Sequence, residues 1–122
     1  MVPETSMRPF IVAFFAAIAL LTAGAAAHHG WGSYAVEKKF TLESTVKHIE
    51  WSNPHVHLMA DYDGASWTLI LAPVSRMERR GVSAAMLAVG TSFAAEGYPS
   101  IKVEHEMRAE RITVGGKTFE LR

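Results

Sequence analysis

The chain contains no cysteine. Neither a disulfide framework nor a thiolate metal site is open to it, and any metal must be held by nitrogen and oxygen. It also lacks an excess of either charge, because twelve Lys and Arg balance twelve Asp and Glu. With no basic field to condense onto phosphates, a nucleic-acid partner is not expected. Internal repeats are missing, and the only biased stretch is the alanine-rich one near the N-terminus. No Gly-x-Ser-x-Gly elbow, no set of nucleophile, base and orienting group and no paired carboxylates stand out, so an enzyme is the weaker expectation. What remains is an ordinary folded composition, 49% apolar and 20% charged over 122 residues, enough for one domain or a domain with a tail.

The apolar residues are not spread evenly. Phe10 to Leu21 is an unbroken apolar run preceded by Arg8 and followed by the small residues of Thr22 to Ala27, which is the layout of a secretory signal peptide. The run is shorter than the roughly 20 residues needed to span a bilayer. Ala25-Ala26-Ala27 offers the small side chains that signal peptidase accepts, so cleavage would leave His28 first. Glu4 suits the start of a signal poorly, whereas initiation at Met7 leaves Met-Arg-Pro-Phe and suits it better. The alternative is an uncleaved anchor, since Pro9 to Ala27 carries no charge. The expected organisation is a signal peptide over 1–27, an arm over 28–39 and a domain over 40–122, in the periplasm or secreted, with no stable membrane span after cleavage.

Beyond the arm the pattern is mostly strand. Phe40, Leu42 and Val46 share one period-two face while Ile49 and Trp51 fall on the other, so the phase changes near Lys47-His48, as a bulge in a bent strand would make it. After the turn signal Asn53-Pro54, Val56, Leu58, Ala60 and Tyr62 alternate with His55, His57, Met59 and Asp61, giving an apolar face and a histidine face. Asp63-Gly64 predicts a hairpin into Trp67 to Leu71. Ser75 to Arg80 predicts a short helix stopped by Gly81, Ser83 caps a further turn through Leu87, and Gly90 releases the chain into a strand over Thr91 to Tyr98. Pro99 to Met107 reads as an exposed loop, and Arg108 to Val114, Gly115-Gly116 and Lys117 to Leu121 as a last hairpin. Three strands, a helix and two or three more strands predict an all-β domain with one short helix, an OB-type barrel of five to six strands, with Val56, Leu58, Trp67, Leu69 and Phe93 inside. An open β-sandwich or roll is the alternative.

Five pieces in order, His28-His29-Gly30-Trp31, Trp51-Ser52-Asn53-Pro54-His55, Ser75-Arg76-Met77-Glu78-Arg79-Arg80-Gly81, Leu87-Ala88-Val89-Gly90 and Gly97-Tyr98, resemble a family of small exported bacterial proteins of unknown function. The resemblance covers essentially all of the chain after Ala27. It implies a periplasmic protein with a signal peptide and a His-His start, and no established activity. In that family an acidic residue often stands where this chain has Ile70, and an Asp-Gly loop often follows the Gly-Tyr, where this chain has Ser100 to Glu106.

Six histidines are many for so short a chain. The amine and Nδ1 of a terminal His28, completed by a second imidazole, would form a three-nitrogen site that selects copper. A cut one residue earlier would place a histidine third and favour copper or nickel. His29 is a near donor, and His55 and His57, two apart on a strand and so about 6.5–7 Å apart at the backbone, form a second pair. The principal expectation is therefore a small periplasmic copper-binding protein with metal ligands His28, His29, His55 and His57, a carrier or buffer; a copper oxidase or oxygenase is a weaker variant. The plainer reading of these histidines is a solvated terminus and a polar strand face. The alternative function is a metal-independent module that binds a protein, glycan or envelope component through the domain face or the arginine-bearing helix. Arg76 and Arg80 there are by default a solvated face with some capacity for an anion. His48 and His105 read as surface residues. Trp51 and Trp67 are expected in the core, with Trp31 and Tyr34 in the arm free for other use, and Asn53-Pro54 as a turn in which Asn bonds its own backbone.

Overall fold

A computed structural model describes residues 31–122, which form one compact unit. Seven strands and one helix follow in chain order: β1 Phe40–Thr45, β2 His48–Glu50, β3 His57–Tyr62, β4 Ala65–Ile70, α1 Val74–Arg79, β5 Ser92–Pro99, β6 Glu106–Val114 and β7 Lys117–Glu120. The local signals act where the chain needs them. Asp63 and Gly64 both have positive φ and close the β3–β4 hairpin, as Gly115 and Gly116 close β6–β7, the conformation that two-residue hairpins require. Gly81, with φ +95°, follows the Arg80 cap and ends α1. Ala84–Leu87 forms the further short turn after Ser83.

The strands make one sheet in the order β1-β5-β6-β4-β3-β2, with β7 added to the second half of β6. All pairings are antiparallel except β4 with β6. The expected OB-type barrel is not what forms. The sheet is an open path whose two ends, β1 and β2, are not paired with each other, so it is an open β-roll. The first strand bends as expected. At Val46-Lys47 it breaks and changes partner, β1 pairing with β5 and β2 with β3. Near the break Ser44 Oγ donates to the Asp61 carbonyl at 2.5 Å, Lys47 N donates to the Met59 carbonyl at 2.8 Å and Lys47 Nζ pairs with Asp61 at 3.1 Å, isolated bonds where closure would require a ladder between β1 and β3.

The inner face packs Leu42, Leu58, Leu69, Leu87, Met107 and Ile112, all fully buried, with Met77 of α1 laid against them. Each such side chain contributes about 1.5–3 kcal/mol of burial. Val56, Leu58, Leu69 and Phe93 are inside as expected, but Trp67 is only half-buried and, with Trp51, packs on the margin of the core. Trp67 instead joins Phe40, Tyr62 and the His105 ring in an aromatic cluster, with centroids 5.3 to 6.0 Å from its own. Glu106 and Met107, expected in a loop, open β6, and Met107 is fully buried.

Between β5 and β6 the register shifts. Glu96 faces Arg111 but Gly97 faces Ala109, so Glu110 is the extra residue of a bulge. Two consecutive residues, Glu110 and Arg111, therefore come to the outer face, and the half of β6 before the bulge keeps its own alternation, with Met107 in and Arg108 out. Gly97 permits this. A Cβ there would run into the Arg108 carbonyl.

Among the described residues no helix is long and apolar enough to cross a membrane. A shallow hollow of about 440 Å³ lies where β5 begins and β6 ends, and Glu43 is the one ionisable residue in its lining.

Candidate functional site

The strand registers place a row of side chains across the outer face. Tyr98 of β5 faces Arg108 of β6, Arg108 faces Ile70 of β4, Ile70 faces His57 of β3, and His57 faces Glu50 of β2. Arg108 is the centre of this row and the one buried charged side chain among the described residues, 9% exposed. No carboxylate comes within ion-pair distance of it. Its Nη2 lies 3.2 Å from Nε2 of His55. A guanidinium only donates, so Nε2 accepts, and the imidazole is neutral with its proton on Nδ1.

The arm closes over this arginine. Trp31 sits in a short 3-10 turn, Trp31–Ser33, with the Arg108 guanidinium 4.7 Å and the Arg122 guanidinium 4.6 Å from its ring centroid. Tyr98 meets the same indole edge-on at 5.7 Å. The arm is held by backbone bonds from Ala35 N to the Pro99 carbonyl and from Ile101 N to the Ser33 carbonyl, both 2.9 Å. Tyr34 donates its hydroxyl to Glu106 at 3.0 Å. Burial, with that bond to a carboxylate, pushes the Tyr34 phenol up to about 12, so it stays a donor at any ordinary pH.

The loop that carries His55 is tied to the helix. The Asn53–Pro54 peptide is cis, and Asn53 Oδ1 accepts from Val74 N at 3.2 Å. Its side chain thus serves the first turn of α1, where Pro73 has no side chain to offer, rather than its own backbone as expected. Arg76, on α1, is near enough for its charge to act on both His55 and Arg108. Burial first, then the charges of Arg108, His57 and Arg76, hold the His55 imidazole below its ordinary 6.5. Burial likewise lowers the hold of Arg108 on its proton, with Arg76 adding to the effect and Tyr34 and Glu106 opposing it. Arg76 has no ion-pair partner among the described residues. The centre is thus two guanidinium groups and a neutral imidazole roofed by an indole, with Glu106 engaged by Tyr34.

The expected copper site is corrected by this arrangement. Among the described residues no group of three or more His, Asp or Glu side chains stands where it would hold a metal ion. His55 and His57 do not act as a ligand pair. The His55 Nε2 lone pair is taken by Arg108, whose charge repels a metal cation from the same spot. His57 Nδ1 lies 3.8 Å from a Glu50 carboxylate oxygen. His28 and His29, with the expected cleavage site, lie outside the described residues. His48 sits 3.8 Å from Glu50 and His105 3.9 Å from Glu104, both exposed. Sequence reasoning had Arg76, Trp31 and Tyr34 as loose possibilities and missed Arg108 and Glu106. The available signal was Met107-Arg108-Ala109, an arginine between two apolar residues at a strand end.

Residues 16–107 match the model of a family of unknown function, DUF6152. The chain belongs to that family. No protein of curated function matches it.

Proposed function

We propose that this member of the DUF6152 family is an exported, metal-independent binding module that recognises the anionic group of a glycan, protein or other envelope component at Arg108. The observation that carries the reading is a buried guanidinium with no carboxylate partner among the described residues. An uncompensated buried cation is costly in an isolated fold, and a ligand anion would remove that cost. Arg76 adds a second cation whose charge reaches both His55 and Arg108. Export is supported by the charge-free apolar segment and by Ala25-Ala26-Ala27.

Indole fluorescence tests the reading. Titration of the protein, in a chelator, with uronic-acid and phosphate-bearing oligosaccharides should give a saturable change that neutral counterparts do not. Arg108→Gln should abolish it. A response that requires added metal, or that survives intact in Arg108→Gln, would overturn the assignment.

A further inference from the structure

The Arg108 centre makes a more specific demand on its ligand than negative charge alone, a demand that rests on Arg108 being an anion-binding group. Its cationic groups come from three separate elements: Arg108 from β6, Arg76 from α1 and His55 from the loop before β3. One planar carboxylate is served by a single guanidinium fork, which leaves the second guanidinium without an anion. The groups that face His55 are Arg108, Arg76 and His57, with no carboxylate among them. Glu106 accepts from Tyr34 while its charge also reaches Arg108, and Glu50 lies 3.8 Å from His57 and from His48.

We propose that this centre takes a doubly charged tetrahedral oxyanion, a phosphoryl or sulfate group, and that His55 supplies a third positive charge by taking up one proton as the anion binds. The step balances simply. In the empty centre Arg108 Nη2 donates to His55 Nε2. The arriving anion takes that donor, Nε2 is released, and a solvent proton converts it from acceptor to donor toward an anion oxygen. No bond to carbon, phosphorus or sulfur changes. Because the imidazole is held below 6.5 while the centre is empty, its proton is absent near neutrality until the anion arrives. Binding therefore strengthens as pH falls.

Calorimetry on the full chain, in chelator, between about pH 5.5 and 7.5 tests this with sulfate and acetate, over the range in which an imidazole titrates. Sulfate keeps both charges throughout. Sulfate should bind at least about tenfold more tightly than acetate, and its affinity should fall up to about tenfold per pH unit above the pKa of His55, with one proton taken up per anion in buffers of different ionisation heat. His55→Gln should keep the tetrahedral preference and lose both the slope and the proton. Equal affinity for acetate and sulfate, or an unchanged slope in His55→Gln, would overturn the proposal while leaving a simpler anion site in place. Failure of both anions and of the acidic oligosaccharides would overturn the binding reading itself. A second series with inorganic phosphate, a sugar phosphate and phosphatidic acid vesicles identifies the source of the group. The tightest of the three marks it as free ion, glycan or lipid, and no binding of any of them counts against the phosphoryl half of the proposal.

Discussion

Arg108 and Arg111 stand three residues apart on the same strand and the same outer face, yet they live in opposite electrostatic worlds. Arg111, past the bulge, holds Glu96 and Glu120 at 2.8 Å each and lies 3.7 Å from Glu110. Lys39 completes the network, 2.8 Å from Glu110 and 3.1 Å from Glu96, and Tyr98 donates to Glu110 at 3.0 Å. The bonds to Glu120 and Glu96 hold the Arg111 proton more firmly than usual. Arg108, before the bulge, is more deeply buried and has an imidazole and an indole in place of acids. One end of β6 is a closed circuit that ties β1, β5, β6 and β7 together. The other holds a cation whose partners are an imidazole, an indole and a phenol, with no carboxylate in ion-pair distance. Arg111 is matched by carboxylates of the fold itself, and Arg108 is not.

The largest expected effect comes from the residue that keeps the two ends in their separate alternations. Gly97→Ala forces a methyl into the Arg108 carbonyl, and overpacking against backbone should cost about 3 kcal/mol. Urea unfolding measures it, and an unchanged midpoint would mean that β5 and β6 do not approach so closely.

Replacing each arginine by methionine sharpens the contrast next. Arg108→Met removes a buried unpaired charge and should leave stability unchanged or raise it by about 1 kcal/mol. Arg111→Met should lower stability, and the loss should shrink in high salt because the network is partly exposed. Equal losses in the two variants would show that Arg108 is structural too.

The smallest effect separates the ends by pH. Glu96 is held below the ordinary carboxylate value of 4.5 chiefly by Lys39 and Arg111, and Glu110 chiefly by Lys39. Their contribution is present above 4.5 and is lost as pH falls through their lower folded values. The depressed imidazole of His55 follows the same sign from a higher start, so its contribution is present above 6.5 and declines as pH falls from there through its folded value. Within this second window, as pH falls from 6.5, His55→Gln should flatten the pH dependence of thermal stability. A slope equal to that of the parent protein would place the titrating group elsewhere.

Much of the fold was legible before the structure. The β3 alternation, the hairpins at Asp63-Gly64 and Gly115-Gly116 and the helix stop at Gly81 depend on period and on φ within a few residues, and they formed where the sequence put them. The break near Lys47-His48 was legible too, but its consequence was not. Strand count and order are the same for a closed barrel and an open roll, and the sequence does not show that the two ends of the sheet stay unpaired. Of the site, the histidine face was visible and its chemistry was misread. A His-x-His spacing says nothing of whether an arginine some fifty residues away will occupy one of the two rings.

Composition and contacts along the chain set the elements, the lack of thiol chemistry and the balance of charge. The tertiary structure alone decided which charges meet. Two arginines three apart share one strand, but a bulge opposite Gly97, an asparagine reaching the start of α1 and an indole from the arm leave one matched by carboxylates and the other not. Coulomb energy depends on distance in space and on burial, and neither can be read from distance along the chain.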